Sequence, residues 1–428
     1  MLFDLLHPAD QIVMIMERIY GYGMTTTSGG NLSIREENGE IWITPGGTDK
    51  GALTREDIVH VMPDGRVLGC HRPSVELPFH QMIYERRPDL RAVIHAHPPA
   101  LIAFSIVRKV PDTSLVPNMR LVCGAVGLAR YGLPGSLDLG QKIASVFAEG
   151  SNAAILENHG VVVGGKDLFK AFMAFETLDY CARLEIDARR VGTPRGLSPR
   201  DIELSDHKQH LRMDEFVPRA YSSKEREARR DMCELIRRAC DQKLFTSTQG
   251  TFSQRLSQRD FVITPYMVDR KYIEADDLVR IEDGRREAGK TPSRSVLLHH
   301  HIYAEHPHVG SIIVAHPPHI MAFAVTDQIF DTRTIPESYI VLRKVARLPY
   351  GSTFMEPDQT AALFTADTPL ALVQNDCAVV TGQTLIQAFD RLEVAEYGAK
   401  ALIACRELGE VVMIEAERVA DIDKAFKL

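Results

Sequence analysis

The sequence contains the same unit twice. WITPGGTDKGALTREDIVHV, from Trp42, lines up with VITPYMVDRKYIEADDLVRI, from Val262, at an offset of 220 residues. PSVELPFHQMIYERRPDLRAVIHAHPPALIAF, from Pro73, matches PSRSVLLHHHIYAEHPHVGSIIVAHPPHIMAF, from Pro292, at 219, and NHGVVVGGKDLFKAF, from Asn158, matches NDCAVVTGQTLIQAF, from Asn375, at 217. A drift of only three residues over about 130 positions means a duplicated domain, so one fold must account for both halves.

Each copy opens with an amphipathic helix, expected over Ala9 to Tyr20 and over Glu225 to Cys240, because apolar residues recur there at helical spacing. IWITP and FVITP read as short strands ended by proline, and helical periodicity returns in Leu77 to Arg86 and Leu168 to Arg190. The apolar runs RAVIHAH and AAILENHGVVV read as buried strands of one sheet. The expected fold class is α/β: two α/β/α sandwiches, each with helices on the faces of a mainly antiparallel sheet. The stretch from Arg190 to Ser222 is polar and broken by Pro and Gly, which gives a first domain over 1–192, a linker over 193–223 and a second domain over 224–428.

Composition narrows the partners. The 428 residues carry a net charge of -7, so there is no basic surplus of the kind that serves nucleic acid or an anionic membrane, and small molecules and protein chains remain. Seven scattered Cys with no CxxC pair fit a reducing cytoplasm. The N-terminus lacks the basic region and small-residue cleavage site of a signal peptide, and no stretch approaches the ~20 apolar residues of a membrane span.

The chemistry concentrates in the first copy. His95 and His97 alternate at the end of an apolar run, and on a strand residues i and i+2 share a face, which brings two imidazoles within reach of one ion. His159 lies in ENHG beside a further strand, and Glu76 opens a helix. Three neutral imidazoles and a carboxylate suit Zn²⁺ or a similar divalent ion such as Mn²⁺ or Co²⁺. The second copy is an internal control: His95 is matched by Val314, His159 by Asp376 and Glu76 by Ser295, and only His97 keeps a counterpart, His316. The polar set is dismantled together while ITP, PS, IY, AHPP and AF persist, so one copy is expected to work and the other to be relieved of chemistry. TTTSGGNLSIR, from Thr25, has the composition of a backbone nest for an anion, and its counterpart TSTQGTFSQR replaces Asn31 with Thr251.

SGGNLSIR, ITPGG, PSVE before a helix, HAH and ENHG, in this order and spacing, resemble the class II aldolase/adducin family, with the complete motif set from Ala9 to about Gly192 and without it from about Lys224 to Leu408. The resemblance implies a metal held by His95, His97 and His159, with Glu76 as the acid/base. It also implies a pocket lined by Gly30, Asn31, Gly46, Gly47 and Ser74 for a phosphate or another anionic substrate end, and a homo-oligomer whose pocket forms where subunits meet. Members acting on sugar 1-phosphates commonly read PSSE, so Val75 removes one expected hydroxyl. Such aldolases also place a Tyr between HxH and an APY-like segment; no Tyr lies between His97 and Tyr131, but Tyr339 stands opposite Arg120 in the second copy. Tyr339 is therefore expected either as a proton donor lent to the working site or as an interface or core aromatic. The expected reaction is retro-aldol cleavage of a ketose or ketose phosphate through a metal-stabilised enediolate. Decarboxylation, 4-epimerisation and dehydration share that logic, and a non-catalytic adducin-like scaffold is the contrasting class.

Overall fold

The computed structural model describes residues 3–428. These fall into two compact units: the first runs to Thr113 and resumes over Asn118–Arg183, and the second comprises Ser114–Pro117 and Leu184–Leu428.

In the first unit the strands are β1 (Asn31–Arg35), β2 (Ile41–Ile43), β3 (Val59–Val61), β4 (Val67–Leu68), β5 (Ala92–Ala96), β6 (Val126–Ala129), β7 (Ala153–Leu156) and β8 (Gly160–Gly165). They form one sheet in the order β4-β3-β2-β1-β5-β8-β7-β6, antiparallel at every junction except β6–β7. The helices are α1 (Pro8–Gly21), α2 (Leu77–Arg86), α3 (Pro99–Ile106), α4 (Pro117–Cys123), α5 (Leu137–Ala148) and α6 (Leu168–Val191), the last running on into the second unit. Helix α1 starts at a proline in its first turn, where a missing N–H costs nothing, and His7 Nδ1 accepts from the Ala9 N–H. Ser136 caps α5 by accepting from the Leu139 N–H at 3.2 Å.

Alternation along the strands assigns the two faces. Ile41, Ile43, Val59, Val61, Val93 and Val162 pack with Phe79 and Ile83 of α2 and with Ile143 and Phe147 of α5 in one core. Ala92, Ile94, Val161 and Val163, which alternate with them, are just as completely buried, and α1 and α3 pack against β1, β2, β7 and β8. A strand covered on both faces has no polar side, which is why RAVIHAH and AAIL read as unbroken apolar runs. AAILENHGVVV forms two neighbouring strands, as the turn residues of ENHG led one to expect: Asn158, at φ +55°, reverses the chain between β7 and β8.

The second unit repeats this plan. Its strands β9 (Glu215–Phe216), β10 (Thr251–Arg255), β11 (Phe261–Ile263), β12 (Val279–Glu282), β13 (Arg285–Glu287), β14 (Ser311–Ala315), β15 (Val345–Leu348), β16 (Leu370–Val373) and β17 (Cys377–Gly382) follow the order β15-β16-β17-β14-β10-β11-β12-β13-β9. Without β9, this is the first sheet again. The helices are α7 (Pro199–Ser205), α8 (Ser223–Asp241), α9 (Val296–Glu305), α10 (Pro318–Ala324), α11 (Pro336–Leu342), α12 (Ser352–Met355), α13 (Pro357–Ala362), α14 (Leu385–Cys405) and α15 (Ala416–Phe426).

The segment 193–223, expected as a linker, is structured and belongs to the second unit. Ser198 and Asp201 close a capping box on α7, and β9 adds a parallel edge strand through the Arg286–Glu215 and Glu287–Phe216 pairs. A cap is made by polar residues and this edge strand is only two residues long, so neither shows in a search for apolar periodicity. Among the described residues no helix is long and apolar enough to cross a membrane.

Candidate metal and substrate site

The site lies at one end of the first sheet. His95 is in β5, the central strand, paired with Asn31 of β1 on one side and Val162 of β8 on the other. His97 follows one residue beyond the strand, its backbone N–H donating to the Met24 carbonyl at 3.1 Å. His159 sits in the β7–β8 turn, and Glu76 is the N-cap of α2. Two glycines permit this convergence. A Cβ on Gly30, at φ +73°, would lie 2.7 Å from the His95 carbonyl oxygen, and one on Gly160 would lie 2.6 Å from His97 Cδ2.

Potential ligand atoms of His95, His97 and His159 all fall within 4.8 Å of one another. His95 Nε2 and His97 Nε2 are 3.1 Å apart, close to the ~3.3 Å that separates two nitrogens bound about 2.05 Å from a tetrahedral ion. Glu76 brings Oε2 to 3.3 Å from His95 Nε2 and Oε1 to 3.9 Å from His159 Nε2. The tautomer suits a ligand: His95 Nδ1 lies 2.9 Å from the Val161 carbonyl, which can only accept, so the proton sits on Nδ1 and the Nε2 lone pair faces the cluster. Burial pushes the pKa of His95 down to about 3, with His159 acting in the same direction, and burial followed by His95 and His159 does the same for His97. Both are thus in the neutral form that binds metal, and the donor set fits a divalent ion with positions left for substrate oxygens.

Behind Glu76 runs a buried polar chain. Asn31 Nδ2 donates to Glu76 Oε2 at 2.7 Å, and Asn31 Oδ1 accepts a hydrogen bond from His80 Nε2 at 2.5 Å. His80 Nδ1 then accepts from the Ser33 hydroxyl, 2.7 Å away, and Ser33 Oγ accepts from the Tyr84 hydroxyl at 2.7 Å. The chain fixes the Asn31 amide with its NH₂ toward the carboxylate. Sequence reading missed Ser33, His80 and Tyr84. They recur as Ser253, His299 and Tyr303 with the same hydrogen bonds, so their retention in both copies looks like packing. The second chain, however, ends at His299 Nε2, which is buried without a partner among the described residues, since Thr251 replaces Asn31.

In front of Glu76 opens a pocket of about 350 Å³. Gly30, Asn31, Gly46, Gly47, Ser74, Glu76 and His97 line it, so the residues expected to bind substrate and one of the expected ligands share a cavity. Two cations that sequence reading did not single out, Lys50 and Arg72, line it as well. Lys50 is 2% exposed and donates from Nζ to the Pro45 carbonyl at 2.7 Å, directly under the glycine pair; burial lowers its pKa. Val75 also faces this opening but is 75% exposed.

Tyr339 is placed on α11 in the second unit, where its hydroxyl donates to Asp423 of α15 at 3.0 Å, beside an Arg343–Asp423 ion pair. A second grouping of ligand-type residues, Asp57, Cys70 and His71, is occupied in closing a turn. Asp57 Oδ2 accepts from both the N–H and the hydroxyl of Thr54, and Oδ1 pairs with His71 Nε2 at 2.8 Å.

Comparison with known proteins identifies the family. The family model described as Class II Aldolase and Adducin N-terminal domain matches residues 10–186 and again 230–403. An L-fuculose phosphate aldolase of Methanocaldococcus jannaschii is 34% identical over 176 residues, which is 41% of this chain and 94% of the relative. A 3-oxo-tetronate 4-phosphate decarboxylase of Haemophilus influenzae is 30% identical, covering 40% of this chain and 84% of the relative. Among solved structures, an L-fuculose 1-phosphate aldolase is 30% identical at a TM-score of 0.43, covering 47% of this chain and 95% of that one. The chain belongs to the class II aldolase/adducin family, whose domain it carries twice, and stands with the family's aldolase-type enzymes.

Proposed function

We propose that the first repeat is a metal-dependent carbon–carbon lyase centre that cleaves a ketose phosphate by retro-aldol chemistry, with Zn²⁺ held by His95, His97 and His159. The observation that carries this reading is the position of the Glu76 carboxylate. Its oxygens lie 3.3 Å from His95 Nε2 and 3.9 Å from His159 Nε2, and it lines the same pocket as the cations Lys50 and Arg72.

When bound, the ion supplies Lewis-acid polarisation of the substrate's carbonyl and neighbouring hydroxyl oxygens. Glu76 takes the proton of the hydroxyl that becomes the aldehyde as the carbon–carbon bond breaks and delivers it to the freed carbon, and Asn31, oriented by His80, keeps the carboxylate aimed. The loop Gly46–Gly47, with Lys50 beneath it and Arg72 at the rim, receives the anionic end. Arg72 thereby makes up for the hydroxyl lost at Val75.

A charge-assisted hydrogen bond from a guanidinium contributes roughly 1.5–3 kcal/mol, so Arg72→Ala is expected to raise KM for a phosphorylated ketose by about 10- to 100-fold and to leave KM for the free ketose nearly unchanged. Equal changes for both would remove the phosphate from this reading. The reaction itself is tested by following ketoses and ketose 1-phosphates by NMR with the metal-loaded enzyme. Appearance of an aldehyde together with a three-carbon keto-alcohol phosphate is the expected result. Release of CO₂ from a 3-oxo acid phosphate, with the ketoses untouched, would replace cleavage by decarboxylation.

A further inference from the structure

The second repeat keeps the frame of the first site. Asn375, at φ +52°, makes the turn that Asn158 makes at +55°, and the His316 N–H donates to the Leu244 carbonyl as that of His97 does to Met24. Where His159 stands in the first copy the second has Asp376, 2% exposed, a carboxylate buried in a place where His316 is the one imidazole retained. An isolated buried charge is costly, so its compensation has to be found.

It comes from the segment 206–213. Lys208 Nζ lies 2.7 Å from Asp376 Oδ1, and the Thr353 hydroxyl donates to Oδ2 at 2.9 Å. Burial works against the Asp376 charge, yet the Lys208 ammonium holds its pKa below the usual carboxylate range. Both charges also reach His316, whose pKa burial pushes down to about 4, with Asp376 opposing and Lys208 adding to the effect.

The rest of the segment is tied to Arg294 and Tyr266, the counterparts of Val75 and Gly46, which line the first pocket. The Lys208 carbonyl accepts from the Arg294 guanidinium at 3.2 Å, Arg294 lies over the Tyr266 ring, and His210 meets that ring edge-on at 4.3 Å. Tyr266 and Met267 stand where the first copy has Gly46 and Gly47, and Met267 keeps the left-handed turn at φ +57° against +69° for Gly47. Residues with side chains thus replace the glycine pair of the anion cradle, and an ammonium pairs with the residue at the position of a metal-binding imidazole.

We propose that the segment 206–213 is a built-in ligand of the second repeat, with the Lys208 ammonium standing in for the divalent ion of the first and closing this pocket to metal and sugar phosphate alike. The name of what the ammonium replaces rests on the first repeat being a metal centre, whereas the pairing with Asp376 does not. Breaking a buried pair from one side strands a charge, and removing both sides is close to neutral. Lys208→Met in the full chain is therefore expected to lower the melting temperature by roughly 5–10 °C. Adding Asp376→Asn should recover most of that loss, with metal content and turnover at the first site unchanged in both variants. If Lys208→Met proves insoluble, recovery of folded protein by the double variant supports the pairing equally. A wild-type melting temperature in Lys208→Met, or a double variant no more stable than the single one, overturns it. Absence of metal from the wild-type protein would instead count against the first-site reading and leave this result standing.

Discussion

Glu76→Gln is expected to retain its metal and to lose turnover by about 10²- to 10⁴-fold, the contribution of a positioned acid/base. Glutamine keeps the volume at the N-cap of α2 and still offers an oxygen to Asn31 Nδ2, so the 2.7 Å hydrogen bond that orients the group survives. What it cannot do is move a proton. Because the three imidazoles are held by the β5 backbone and the β7–β8 turn, and not by Glu76, the ion should stay. The measurement pairs metal content with kcat on the same preparation. Full turnover in Glu76→Gln would mean that another group carries the proton.

The second large effect is that of His97→Ala, expected to remove metal and activity together. His97 is only half-buried and lies beyond the end of β5, so its removal spares the sheet. His95, by contrast, is fully buried with its Nδ1 on the Val161 carbonyl, and its replacement would confound metal loss with misfolding. With His97 gone, only two imidazoles remain, one short of the three that hold a catalytic divalent ion. A melting temperature close to that of the metal-free wild type, together with undetectable turnover, is the expected pairing. A His97→Ala enzyme that binds metal and turns over would displace the ligand assignment.

How much could be read beforehand follows from the kind of signal each feature leaves. Leu77–Arg86 is a helix over the very residues whose periodicity announced it, and the HxH spacing placed two imidazoles on one face because strand alternation is rigid. The comparison between copies separated Glu76, His95 and His159 from the frame. It hid the residues that serve both copies: Ser33, His80 and Tyr84 persist as Ser253, His299 and Tyr303 and so look like packing, although in the first copy they end on Asn31 and Glu76. Lys50 and Arg72 are 22 positions apart and line one pocket where an isolated bridge ties Pro45 to Pro73, a closure that no local pattern encodes. Segment 193–223 looked like a linker because its work is done by single polar residues, the Ser198 cap and Lys208 among them. The hydroxyl of Tyr339 finds Asp423 in α15, a helix outside the repeated unit, where the comparison of copies has nothing to say.

The central claim is an asymmetry: one frame used twice, with metal chemistry in only the first use. Metal analysis of the purified chain, of His97→Ala and of its counterpart His316→Ala tests it most directly. The account predicts one divalent ion per wild-type chain, none in His97→Ala and one in His316→Ala. Two ions in the wild type, or an ion that survives His97→Ala and is lost with His316→Ala, would contradict it.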